Sequence, residues 1–149
     1  MKVNKKNYSS IWEEDGLIKI IDQTKIPFEF EIMALKSLKD FSDAIQKMKV
    51  RGAPLIGVTA AYALAILLKK KSNDEYLNKI YETLLKTRPT AVNLKWALNY
   101  CLKDIIKTKI SERKNIALSL AREIRNNDII NCKKIALNGY QIIEKIFKK

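Results

Sequence analysis

The sequence contains no histidine. That removes the commonest general base and the commonest metal ligand. Cysteine is scarce: Cys101 and Cys132 are the two, and neither sits in a CxxC pair. Both fall on helical segments with apolar periodicity, which predicts buried, unreactive thiols. No carboxylate cluster has the spacing of a metal site. No N-terminal segment combines a basic stretch, an apolar stretch and small residues, as a signal peptide would. The longest nearly apolar run, Pro54 to Leu68, is interrupted by Gly57 and Thr59. It falls short of the roughly 18–20 residues of a membrane span. It reads instead as a buried helix, and the expected compartment is the cytoplasm, with no membrane partner.

Acidic residues are also in short supply. Sixteen stand against 29 lysines and arginines, for a net charge of +13. Such an excess raises the question of nucleic acid. The lysines, however, are scattered, with short clusters at Val3–Lys6, Lys69–Lys71 and Lys148–Lys149. A nucleic-acid face would show a basic stripe interleaved with aromatics. Lysine, isoleucine and asparagine share A/T-rich codons, so genome composition is the simplest source of the charge. An acidic partner surface is a further alternative.

What is present is one domain's worth of patterned chain, 149 residues with 47% hydrophobic and 30% charged residues. Tyr8–Trp12 and Leu17–Ile21 read as short strands, with Asp15-Gly16 as the turn between them. Phe28 to Ile32 alternates with period two, which predicts a third strand. The segment after residue 33 is helical. Ser37 or Asp40 can cap a helix through Met48. Pro54 opens an almost wholly apolar helix to about Lys70, expected at the centre of the domain. Val58, Ala61, Leu64, Ala65 and Leu68 should be inaccessible. Ser72-Asn73-Asp74-Glu75 offers a capping box for the next helix, whose apolar face runs from Tyr76 to Leu85. Pro89 opens a helix to about Thr108, and Ser111 caps another. Asn126-Asn127-Asp128 is expected to interrupt or kink that helix, and a last one holds Ile135, Ile142 and Ile146, with Gly139 a close-packing point. The fold class is therefore mainly α. A small antiparallel β meander over residues 1–33 precedes a five- to six-helix domain over residues 34–149.

Two short motifs carry the chemistry, Arg51-Gly52-Ala53-Pro54 and Thr87-Arg88-Pro89-Thr90. Proline suits the first turn of a helix, because its φ is preset and its missing N–H is no loss there. Each arginine is thus expected at a helix N-terminus, where free N–H groups and the helix dipole attract anions. A guanidinium adds a planar fork of donors that fits a phosphate. Together they predict a phosphate pocket shared by Arg51 and Arg88. Other roles are open to these residues. Asp22 is an alternative partner for Arg51, and Gly52 could simply serve a positive-φ turn. Asn93 could bond across to the Arg51 loop. Trp12 and Trp96 are expected to be packing residues.

Several segments occur in order: Ile21–Pro27 (IDQTKIP), Ala44-Ile45, Met48–Gly57 (MKVRGAPLIG), Ala60–Tyr62, Thr87–Leu94 and Trp96–Leu98. This set closely resembles the N-terminal domain of the methylthioribose-1-phosphate isomerase family, over essentially the whole chain. Ribose-1,5-bisphosphate isomerase and the regulatory subunits of eukaryotic initiation factor 2B share the superfamily and resemble it less. The resemblance implies an aldose–ketose isomerisation of 5-methylthioribose 1-phosphate, with no metal or organic cofactor. It implies substrate binding by Arg51, Gly52, Ala53 and Arg88.

The resemblance also implies a second, Rossmann-like α/β domain bearing a cysteine in a Thr-His-Cys-Asn segment and an acid/base aspartate. The expectation is that this domain is absent from the 149 residues. Cys101 and Cys132 match neither position, and Asp104 and Asp128 lie in the wrong domain. The chain then supplies substrate binding, and a separate α/β chain or self-association completes it. Two other readings stay open: a non-catalytic module that binds a sugar phosphate or nucleotide, and a nucleic-acid-binding helical domain.

Overall fold

The computed structural model describes residues 2–148. Met1 and Lys149, which end the two segments above and the terminal lysine cluster, lie outside the described residues. Two antiparallel β elements open the chain. Strands β1 (Lys2–Val3) and β2 (Lys6–Asn7) pair around Asn4 and Lys5, both at positive φ. Strands β3 (Ile11–Glu14), β4 (Leu17–Ile21) and β5 (Ile32–Leu35) form a three-stranded sheet in that order. Glu14 faces Leu17 across Asp15 and Gly16, at φ 53° and 73°. Those angles give the two-residue turn that an Asp-Gly pair favours.

The third strand begins later than its sequence pattern predicts. Asp22 accepts from both the N–H and the hydroxyl of Thr24, and a series of turns runs to Glu29. The short Asp side chain thereby bends the backbone away from the ladder. Phe28, inside the alternating stretch, is 93% exposed. Pairing resumes with Ile21 opposite Ile32.

Five helices follow. Helix α1 (Leu38–Gln46) carries a complete capping box between Ser37 and Asp40 and buries Phe41, Ala44 and Ile45. Helix α2 (Ala53–Leu67) runs through the core, and every residue from Ile56 to Leu67 is buried. It packs against α5, α4, α1 and α3. The five residues expected to be inaccessible are so. Helix α3 (Asp74–Thr87) buries Leu77, Ile80 and Leu84. Its cap is Asn73, which accepts from the Tyr76 N–H. The Ser72 hydroxyl donates back to the Leu68 carbonyl, so the expected Ser72–Glu75 box does not form. Helix α4 (Val92–Ile105) buries Leu94, Ala97, Leu98, Cys101 and Ile105.

Helix α5 (Arg113–Phe147) is one continuous helix where two were expected. Asn126, Asn127 and Asp128 do not break it. Asparagine and aspartate disfavour helix interiors by only about 0.7 kcal/mol or less each, and the packed first half propagates past them. Ser111 is not its cap. The start is instead tied down by buried Arg113, which donates to the carbonyls of Ser72 and Thr108 and pairs with Asp74. The first half buries Ala117, Leu120, Ala121 and Ile124. Beyond Ile130 the apolar residues are exposed, Ile135, Ile142 and Ile146 among them, and Gly139 faces open space. Among the described residues no helix is long and apolar enough to cross a membrane.

One staple joins sheet to helices. Glu13 on β3 accepts from the Tyr62 hydroxyl on α2 at 2.9 Å and from both forks of Arg122 on α5 at 2.9 and 2.6 Å. The Arg122 guanidinium holds the Glu13 carboxyl below the usual carboxylate range. Burial, with the Glu13 bond second, raises the Tyr62 hydroxyl well above its ordinary value.

Gly57 sets the crossing of α2 and α4. A Cβ there would lie 3.0 Å from the Asn93 carbonyl oxygen and 3.3 Å from the Ala97 Cβ. A branched side chain cannot be absorbed by a backbone neighbour without shifting α4. Gly57→Val is expected to cost about 1–3 kcal/mol, as overpacking does. Urea unfolding checks this, and an unchanged midpoint would show that the crossing is loose.

Candidate functional site

The loop before α2 is exposed, and open space surrounds Gly52. Gly52 sits at φ 88° and ψ 134°, a conformation that a side chain disfavours. It is the N-cap of α2, yet no side chain caps that end and no acidic residue lies in the first turn. Pro54 occupies the first turn, as the sequence predicts. The helix N-terminus is therefore left with N–H groups and positive dipole charge at the surface.

The loop is held from behind. The Gln23 N–H donates to the Lys49 carbonyl, and the Gln23 side-chain oxygen accepts from the Arg51 N–H, both at 2.9 Å. Lys49, not Arg51, pairs with Asp22 at 3.4 Å. Burial pulls the Asp22 carboxyl upward, but the bonds from Thr24 and the Lys49 charge outweigh it and hold the group below its ordinary value. Arg51 is exposed, and its Nε donates to the Met48 carbonyl at 3.2 Å. Among the described residues its guanidinium enters no ion pair.

A cleft of about 240 Å³ opens beside this loop. Arg51, Gly52, Pro54 and Leu55 form one wall, Ser9 and Ser10 another, and Arg125, Asp128 and Cys132 of α5 the third. Arg125 is positioned by donating its Nε to the Ile11 carbonyl at 3.3 Å. The cleft thus combines two guanidinium groups, an uncapped helix N-terminus and one carboxylate. Such a set favours an anion.

A second cleft, about 400 Å³, adjoins the first and shares Pro54, Val58 and Asp128 with it. Its other walls come from Gly57 of α2, from Val92, Asn93 and Trp96 of α4, and from Ile124, Asn127 and Asn131 of α5. Trp96 was expected to pack inside. It is half exposed and lines this cleft. Asn93 also lines it, and its backbone carbonyl lies against Gly57.

Arg51 and Gly52 thus lie on one cleft, with Ala53 exposed between Gly52 and Pro54 at the first position of α2. Arg88 lies elsewhere. It is the half-buried C-cap of α3 and lines neither cleft. Its carbonyl accepts from the Ala91 N–H, closing a turn with Pro89 at the second position. The fixed φ of proline suits that position as well as a helix start, so α4 begins at Val92 instead of Pro89. Cys101 is buried as expected, and burial pushes its thiol up to about 12. Cys132 is exposed, against expectation, because the part of α5 that carries it has left the core.

Sequence reasoning missed Arg125 and Asp128. Their one signal was the polar run that interrupts the apolar stripe of α5, read as a helix break. In the fold that run is a cleft wall.

Residues 49–147 match the initiation factor 2 subunit family. The chain belongs to that family. Over its whole length it is 46% identical to methylthioribose-1-phosphate isomerase of Escherichia coli O45:K1 and 44% identical to that of Brucella anthropi. It spans 41% and 42% of those two proteins, about two fifths of their length. Among solved structures it resembles the initiation factor eIF-2B delta subunit from A. fulgidus, with a TM-score of 0.74 and 35% identity, covering 80% of this chain and 37% of that one. It also resembles 5-methylthioribose 1-phosphate isomerase from Pyrococcus horikoshii, with a TM-score of 0.73 and 32% identity, covering 79% and 36%. The family resemblance read from the motifs is thus confirmed.

Proposed function

We propose that this chain is the substrate-holding part of a methylthioribose-1-phosphate isomerase acting in the cytoplasm. The phosphate sits at the N-terminus of α2, on the Gly52 and Ala53 backbone and the Arg51 guanidinium, with Arg125 on the far wall. Arg88, which lines neither cleft, is assigned no contact with the phosphate in this reading. The observation that carries this reading is the uncapped α2 N-terminus, with two guanidinium groups on one cleft. The proton-transfer groups come from an α/β domain, supplied by a separate chain or by further sequence. A non-catalytic regulatory module is the second reading, favoured by the likeness to the eIF-2B delta subunit. Identity to isomerases of several bacteria over 98–100% of this chain, and 41–42% of theirs, favours the first.

Calorimetric titration of the 149-residue chain with ribose 1-phosphate tests the site. Arg51→Ala is expected to weaken binding by about 10–100-fold, the equivalent of the about 1.5–3 kcal/mol typical of a hydrogen bond to a charged group. Inorganic phosphate should compete. An Arg51→Ala affinity equal to the parent's would remove the phosphate from this cleft. Preference for a nucleotide over the sugar phosphate would favour the regulatory module.

A further inference from the structure

Gln23, two residues after β4, is half-buried and lines the smaller cleft with Arg51 and Gly52. It is fixed at two points. Its backbone N–H donates to the Lys49 carbonyl, and its side-chain Oε1 accepts from the Arg51 N–H, both at 2.9 Å. A backbone N–H can only donate, so the carboxamide must turn its oxygen toward Arg51. The other end, Nε2, carries two donors and has no hydrogen-bond partner among the described residues. We propose that the Gln23 Nε2 donates to an oxygen of the phosphate held at Arg51 and Gly52, so that one side chain both ties the loop and contacts the ligand. The inference rests on the phosphate reading of the smaller cleft.

The make-up of the cleft gives such a donor a use. Arg51 and Arg125 attract an anion, but Asp128 stands on the same wall as Arg125 and repels it. An amide N–H adds a bond to a charged oxygen, stronger than one between neutral groups, and brings no charge of its own. The side chain is also held before any ligand arrives. Its bond to Arg51 has already restricted its rotamers, so little freedom is lost on binding. The backbone behind it is anchored as well. Asp22, only 3% exposed, pairs with the Lys49 ammonium at 3.4 Å and accepts from both the N–H and the hydroxyl of Thr24. Gln23 thus sits between two secured neighbours, with its free donors on the residue that lines the cleft.

A tether alone and a tether that also contacts the ligand predict different variants. Gln23→Ala removes both roles and should weaken ribose 1-phosphate binding by about 10–100-fold, the range for a hydrogen bond to a charged group. Gln23→Glu keeps an oxygen for the Arg51 N–H but loses the donor and sets a carboxylate beside the phosphate. It should therefore bind more weakly than Gln23→Ala. Circular dichroism confirms that both variants are folded. A Gln23→Glu chain that binds as the parent does, or more tightly than Gln23→Ala, overturns the contact and leaves only the tether. The parent chain gives a second reading that needs no folded variant. In ¹⁵N–¹H spectra, titration with inorganic phosphate should shift the Gln23 side-chain NH₂ pair together with the Gly52 N–H. A shift at Gly52 with none at the Gln23 side chain overturns this inference alone. No shift at either overturns the phosphate reading and this inference with it.

Discussion

Truncating Leu64 to alanine is expected to lower the unfolding free energy by about 2–5 kcal/mol, the range for emptying a filled core position. Leu64 lies mid-way along α2 and is fully buried. Alanine is the better helix former of the two, so intrinsic propensity does not account for the loss. The cost comes from lost contacts and from the cavity left behind. Residues on either side cannot readily collapse into it, because α2 is packed by four other helices. Urea unfolding should show a lower midpoint with an unchanged slope. Truncation of an exposed residue on α3, Lys79→Ala, provides the control and should stay within about 0.5 kcal/mol of the parent. A Leu64→Ala loss below about 1 kcal/mol would mean that α2 is not the centre of the packed core.

The parts of this fold legible in the sequence are those governed by neighbours along the chain. The Asp15-Gly16 turn, the Ser37–Asp40 capping box and the all-apolar α2 each depend on a few consecutive residues. The misread parts are those where one local signal serves two structures. Proline at position 89 fits both a helix start and the second position of a turn, and the Arg88–Ala91 turn takes it. The alternation of Phe28 to Ile32 fits a strand, but the bonds from Thr24 to Asp22 bend the backbone before it. In α5 the Asn126–Asp128 run has the composition of a break, while the packing of Ala117 to Ile124 carries the helix through.

The site divides in the same way. Arg51 and Gly52 were legible because the helix start that orients them is local. Arg125 and Asp128 reach the same cleft only through the docking of α5 on α2, which no short motif encodes. Trp96 belongs with these. Its place on a cleft wall depends on where α4 crosses Gly57.

The 149 residues alone are expected to bind the sugar phosphate without isomerising it. Moving a hydrogen between C1 and C2 of an aldose requires a positioned acid or base, and opening the ring requires a proton donor. Such groups typically contribute about 10²–10⁴-fold each when held close to the reacting atoms. The chain has no histidine. The guanidinium groups of Arg51 and Arg125 stay protonated and so cannot act as a base. The other titratable groups in the cleft are Asp128 and Cys132, whose Sγ lies 3.8 Å from the Asp128 carboxylate. Neither matches the cysteine or the aspartate that the family resemblance assigns to an α/β domain. Phosphate binding stabilises substrate and transition state alike, so it lowers KM without supplying the chemical step. A ¹H NMR assay of 5-methylthioribose 1-phosphate with the purified chain should therefore show binding and no ketose. Adding a separately expressed α/β domain of an isomerase relative should restore turnover. Arg51→Ala should then lower kcat/KM by about 10–100-fold, matching its loss of phosphate affinity. Turnover by the purified chain alone would overturn this division of labour. Loss of that turnover in Asp128→Asn would then assign proton transfer to the wall of α5.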